Sequence, residues 1–133
     1  MNHIETVQKI YEAFGKGDIP AILGHLSDDV DWEYGADTPD VPWLQQRRGR
    51  DEVADFFQSL SALDIHAFMP KTICGDGNIV LVLFDFDATV KATGIRFVEE
   101  DEVHVWHFNA QGQANKFRHR ADTHKQWAAV QGR

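Results

Sequence analysis

Cysteine, basic charge and long apolar runs are scarce in this chain, and each shortage excludes something. A single cysteine, Cys74, rules out an internal disulfide framework and fits a reducing compartment, so a cytoplasmic location is expected. Thirteen Lys and Arg stand against 21 Asp and Glu, a formal net charge of −8. That balance disfavours nucleic acid or an anionic membrane surface as a partner. Arg47, Arg48 and Arg50 form a basic cluster, which reads as a solvated turn or a local ion pair. No apolar stretch approaches the ~20 residues of a membrane span, and the amphipathic opening segment does not read as a signal peptide. A Gly-rich phosphate loop, a nucleophile elbow and a CxxC pair are all missing. His104, His107, His119 and His124 lack a recognisable ligand spacing, so neither a metal nor a cofactor is expected.

What the chain does have is apolar bulk. Nine Phe, four Trp and a hydrophobic content of 43% in 133 residues suit one domain over 1–133, large enough to wrap a cavity. Ile4, Val7, Tyr11 and Phe14 recur at helical spacing, and Gly15 and Gly17 end that helix. Asp18 caps a second, shorter helix that buries Ile22, Leu23 and Leu26. Val30, Trp32 and Tyr34 then alternate along a strand. Residues 35–48 read as an ordered loop, with Trp43 anchored on something apolar that could be a pocket mouth. A third helix over 49–63 places Val53, Phe56, Phe57 and Leu60 on one stripe. Pro70 marks the extended run 65–73 as an edge strand or a bulge. A long strand over 79–90, a turn at 91–94, a hairpin and a short helix over 123–130 complete the chain. Helices first and a meander afterwards predict an α+β fold, a cone-shaped roll with N-terminal helices packed on a curved, mainly antiparallel sheet.

The hairpin from Glu99 to His124 holds the candidate chemistry. Lys116, Arg118 and Arg120 share one face of its second strand and belong in water, so Phe117 and His119 point inward. A four-residue loop would pair Phe108 with Gln113, Trp106 with Asn115, His104 with Phe117 and Glu102 with His119. Paired residues point to the same side, so the inward set is Glu102, His104, Trp106, Asn115, Phe117 and His119. The strand over 79–90 has two registers. An even loop places Asp85 and Asp87 beside His104 and turns Phe84 and Phe86 outward. Amphipathicity says the reverse, and a single bulge would flip the face.

The segments AFGKGD, SDDVDWEY, RRGRDEVADFF, ATG, HVWHF and FRHRADTH together resemble the nuclear transport factor 2-like superfamily, which includes ketosteroid isomerases and SnoaL-like polyketide cyclases. The chain is most like bacterial SnoaL-like proteins without an assigned function. The resemblance implies a cone-shaped α+β fold with a pocket and, commonly, a homodimer through the outer sheet face. It does not carry ketosteroid isomerase chemistry, whose general base, tyrosine and protonated carboxyl align here with Tyr34, Ile10 and His104. The closing Asp of SnoaL-like proteins is matched by Asp122, which could equally cap the last helix.

These residues favour a cofactor-independent acid–base enzyme of isomerase, cyclase or hydratase type acting on a small hydrophobic ligand. Trp32, Tyr34, Trp43, Trp106 and Phe117 would supply the walls. His104 and His119 would exchange protons, with Glu102 or Asp87 as carboxylate partner and Asp122 as a further candidate. The same pocket could bind without turnover, or the outer sheet could serve assembly alone.

Overall fold

Asn2 accepts a hydrogen bond from the Glu5 amide and so caps α1 (His3–Gly15), which turns Val7, Ile10 and Ala13 inward. Asp18 does the same for α2 (Ile19–Gly24) by accepting from the Ala21 amide. Such caps satisfy amides that a helix leaves unpaired in its first turn. The computed structural model describes residues 2–34, 38 and 40–133, except the side chains of residues 33 and 34. The remaining elements are β1 (Leu26–Tyr34), β2 (Arg47–Arg48), α3 (Gly49–Ser59), β3 (Leu63–Asp76), β4 (Ile79–Val90), β5 (Arg96–Phe108), β6 (Ala114–Arg120) and α4 (Thr123–Val130). The strands form one sheet in the order β2-β1-β6-β5-β4-β3. Every pairing is antiparallel except β1 with β6. The helices cover the concave face, and the core between them is buried hydrophobic side chains from both layers. No helix among the described residues is long and apolar enough to cross a membrane.

A bulge in β5 decides which face β4 turns inward. The Val90 amide donates to the Ile95 carbonyl at 2.9 Å, so the β4–β5 loop is indeed even. Phe86 then pairs with Glu99 but Phe84 with Glu102, which sets two residues of β5, Glu100 and Asp101, against one of β4, Asp85. Asp101, at φ +62°, absorbs the extra residue in the left-handed region. Its amide donates to the Asp85 carboxylate at 3.1 Å, and the Lys71 ammonium lies 2.7 Å from Asp85 and 2.5 Å from Asp101. Phe84 and Phe86 therefore point into the core. Asp87 points outward onto Arg96 at 2.6 Å, which holds its carboxyl below the usual range. Asp87 is thus removed from the candidate site, and the alternation of β4 gives the correct face.

The β5–β6 hairpin departs from its expected register twice, and the departures cancel. Its loop spans five residues, with the Asn109 amide on the Gln113 carbonyl, and a second irregularity follows Phe108–Ala114. Together they move the pairing by two residues, so His104 faces His119 and Trp106 faces Phe117. A two-residue shift preserves the face. The inward set stands except at Asn115, where the irregularity substitutes the fully buried Ala114. The basic cluster takes local partners. Arg50 binds the Leu26 carbonyl and lies 2.9 Å from Asp28, while Arg47 binds the Pro42 carbonyl.

Candidate functional site

Between α1, α3 and the concave sheet lies a cavity of about 80 Å³. Its floor is Trp106, Phe117, His104 and His119 from β5 and β6, with Phe84 and Phe86 from β4 and Trp32 from β1. Half-buried Phe14, Phe57, Leu60 and Phe68 form its outer end. A volume well under the ~300–1,000 Å³ typical of small-molecule pockets means that a ligand must be compact or must part these rings.

Two polar groups are built into this apolar wall. On one side, the Trp106 indole N–H donates to the Tyr11 hydroxyl at 3.1 Å, and that hydroxyl lies 2.7 Å from His104 Nδ1. The phenol, having accepted from Trp106, still has its proton to give to Nδ1, and in that arrangement His104 carries its own proton on Nε2. Burial pushes the Tyr11 phenol up, so it stays protonated. Burial also holds the His104 imidazole neutral, well below its ordinary range.

On the other side, His119 Nε2 lies 3.0 Å from Glu102 Oε1. The Gln126 amide nitrogen, on α4, donates to Glu102 at 3.3 Å and to Glu99 at 3.0 Å. Its oxygen accepts from the Trp43 indole at 2.6 Å, which fixes the orientation of the amide. The Asp122 backbone amide donates to the second oxygen of Glu99. All of this is buried: Gln126 is 0%, Glu102 2%, Glu99 4% and His119 8% exposed. Burial, and for Glu99 the neighbouring Glu102, push both carboxyls up to about 7. Burial draws His119 down to about 4. The ordinary order of acidities is inverted, with neutral imidazoles and protonatable carboxyls.

The site residues expected from the sequence fall into distinct places. His104, His119, Trp32, Trp106, Phe117 and Trp43 line the cavity. Trp43 is buried beside Phe97 rather than set at the mouth. Glu102 stands behind His119 rather than in the wall. Asp122 caps α4 by accepting from the Lys125 amide, and Asp87 is on the outer face. The side chain of Tyr34 lies outside the described residues; its backbone pairs with His119. Three members were missed: Tyr11, Glu99 and Gln126. Among the described residues no three His, Cys, Asp or Glu side chains gather to hold a metal.

Fold and site define an α+β cone with a buried, largely apolar cavity and a pair of imidazoles in its wall. The SnoaL-like domain model matches residues 7–130, and the chain belongs to that family. The family includes polyketide cyclases and isomerases. A nuclear transport factor 2-like protein of unknown function from Burkholderia pseudomallei K96243 is 27% identical, with 98% of each chain covered and a TM-score of 0.84. Another from Burkholderia xenovorans LB400 is 23% identical over 96% of this chain and 95% of that one, at a TM-score of 0.85. TerC, co-crystallised with polyporic acid, is 20% identical over 97% of this chain and 98% of its own, at 0.82. No curated protein matches the chain.

Proposed function

We propose that the chain moves protons on a small, neutral, hydrophobic carbonyl-bearing or cyclic molecule, in an isomerase, cyclase or hydratase type of reaction. Its own side chains act as the proton donors and acceptors. One observation carries this reading: two buried imidazoles, with ring centroids 4.9 Å apart, share one apolar cavity and are anchored by different partners. Glu102 fixes the proton of His119 on Nε2 and makes Nδ1 the basic nitrogen. With the Tyr11 hydroxyl donating to Nδ1, His104 carries its proton on Nε2, where it can donate to an oxygen that gains negative charge. In this division His119 accepts a proton from the ligand and His104 steadies the resulting enolate or alkoxide. Buried carboxyls behind the wall disfavour an anionic ligand, and the aromatic lining favours a flat one. The co-crystallisation of TerC with polyporic acid agrees with a small-molecule role for this fold. The three positions aligned with ketosteroid isomerase residues (Tyr34, Ile10 and His104) argue against steroid isomerisation.

The test is hydrogen exchange from solvent. Incubation with a panel of cyclic and aromatic ketones in D2O, followed by mass spectrometry, should show deuterium entering α to the carbonyl. Both His119→Ala and His104→Phe should lower that rate by about 10²–10⁴-fold while the protein still melts cooperatively. Wild-type rates in both variants, or no uptake above buffer, would overturn the reading. The second reading, binding without turnover, draws on the Tyr11 hydroxyl, which Trp106 and His104 already engage on both sides. It predicts that a ketone quenches tryptophan fluorescence without exchanging protons.

A further inference from the structure

We infer that Glu102, sharing one proton with Glu99, is the terminal base of the site, and that His119 conducts the ligand's proton to it. This rests on the proton-moving reading above and identifies where the proton goes. The geometry is that of a built pair rather than of two separate carboxylates. One Gln126 amide nitrogen reaches both, at 3.0 and 3.3 Å, and a neutral amide rather than a cation holds them together. Glu102 Oε1 receives His119 and Gln126, whereas its buried Oε2 has no hydrogen-bond partner. Two buried carboxyls on one amide, with an acceptor to spare, are the arrangement in which one carboxyl keeps a proton for the other.

The charges around the pair point the same way. β4 presents Phe84 and Phe86 opposite Glu102 and Glu99. β6 presents His119, with Arg120 exposed beyond it, and the loop before β2 presents Trp43. α4 presents Gln126, the backbone amide of its cap Asp122, and exposed Lys125, whose ammonium binds the Val98 carbonyl. His104 lies across His119 and is neutral. No buried cation among these neighbours would keep both carboxyls ionised.

The proton count closes without creating a cation in the cavity. The ligand's proton joins His119 at Nδ1 as the Nε2 proton leaves for Glu102. The pair goes from one proton to two and from one negative charge to none, and the charge reappears on the ligand oxygen facing His104. A resting imidazolium never forms, consistent with the burial that holds His119 neutral. The return of the proton to another ligand atom reverses the path.

Side-chain NMR of the imidazoles and infrared spectroscopy of the wild type test this without a substrate. His119 should stay neutral from pH 7 to 5, and a protonated-carboxyl band should be present near pH 6 and vanish in the double variant with Glu99→Gln and Glu102→Gln. An imidazolium at His119 near pH 6.5, no such band, or a band that survives in the double variant overturns the inference. With an exchanging ketone, Glu102→Gln should lose about 10²–10⁴-fold in rate although His119 remains. Wild-type exchange that persists in Glu102→Gln sinks this inference alone, whereas absence of exchange in the wild type sinks the proton-moving reading itself.

Discussion

At the scale of residues, chemistry follows from burial. Folded Glu99 keeps its proton up to about pH 7, whereas its unfolded value is 4.5. Its contribution to stability is therefore complete below that lower value and is lost as the pH rises to the folded one. His119 runs the other way. Its contribution is present above its ordinary value of 6.5 and is lost as pH falls through about 4. Between these limits the two slopes oppose each other. The melting temperature of the wild type minus that of Glu99→Gln should accordingly fall from about pH 4.5 to about pH 7. A difference that rises over that window would mean that Glu99 is ionised in the fold.

The sequence shows the inward face of His104, His119 and Trp106 because Lys116, Arg118 and Arg120 mark the other face. It hides Glu99, since residues three apart on a regular strand point to opposite sides and only the Asp101 bulge brings Glu99 round to Glu102. Tyr11 looks like one more core position on an amphipathic helix. Gln126 gives no sign in a short terminal helix, because its partners come from β5 and the loop before β2.

At the scale of elements, one bulge and one buried amide set the geometry. The β5 bulge needs a left-handed residue, and Asp101 supplies it with help from Lys71 and Asp85. Asp101→Val should destabilise by about 1–2 kcal/mol, the cost of a side chain in that region. Asp101→Gly should cost much less, because glycine adopts it freely. Chemical denaturation of the pair reads the difference, and equal losses would show that the ion contacts rather than the backbone matter. Among the polar contacts that hold α4, Gln126 is the fully buried one. Gln126→Ala should cost about 2–4 kcal/mol, since it strands Trp43 N–H and part of the carboxyl pair without partners. A loss below ~0.5 kcal/mol in the same experiment would mean that the other contacts of α4 hold it without Gln126.

Helix order, the caps at Asp18 and Asp122 and the edge position of β3 were legible because each rests on local spacing. The register of the meander was not. It depends on register shifts in all three pairings of the meander and on a lengthened hairpin loop, whose signals, such as an Asp at a positive φ or a five-residue loop, are not periodic.

At the scale of the whole molecule, the outer sheet face remains partly apolar. Leu81 and Val98 are 41% and 49% exposed, and Leu83, Val103 and Val105 are half-buried beside them. With Phe84 and Phe86 turned inward, the face is narrower than the alternative register would make it. A homodimer through this face remains a proposal. Sedimentation should give a dimer at micromolar concentration that Leu81→Asp converts to monomer, and a monomeric wild type would refute it.

The central claim is that the cavity between α1, α3 and the sheet receives the ligand and presents its reacting oxygen to the two imidazoles. A crystal structure with a bound neutral aromatic ketone tests it most directly. The predicted result is ligand density parting Phe57 and Phe68, with the carbonyl oxygen at hydrogen-bond distance from His104 Nε2 and the α-carbon over His119. Density on the outer sheet or in the polar cleft beside Asn109 and Gln111, with the cavity unchanged, would contradict it.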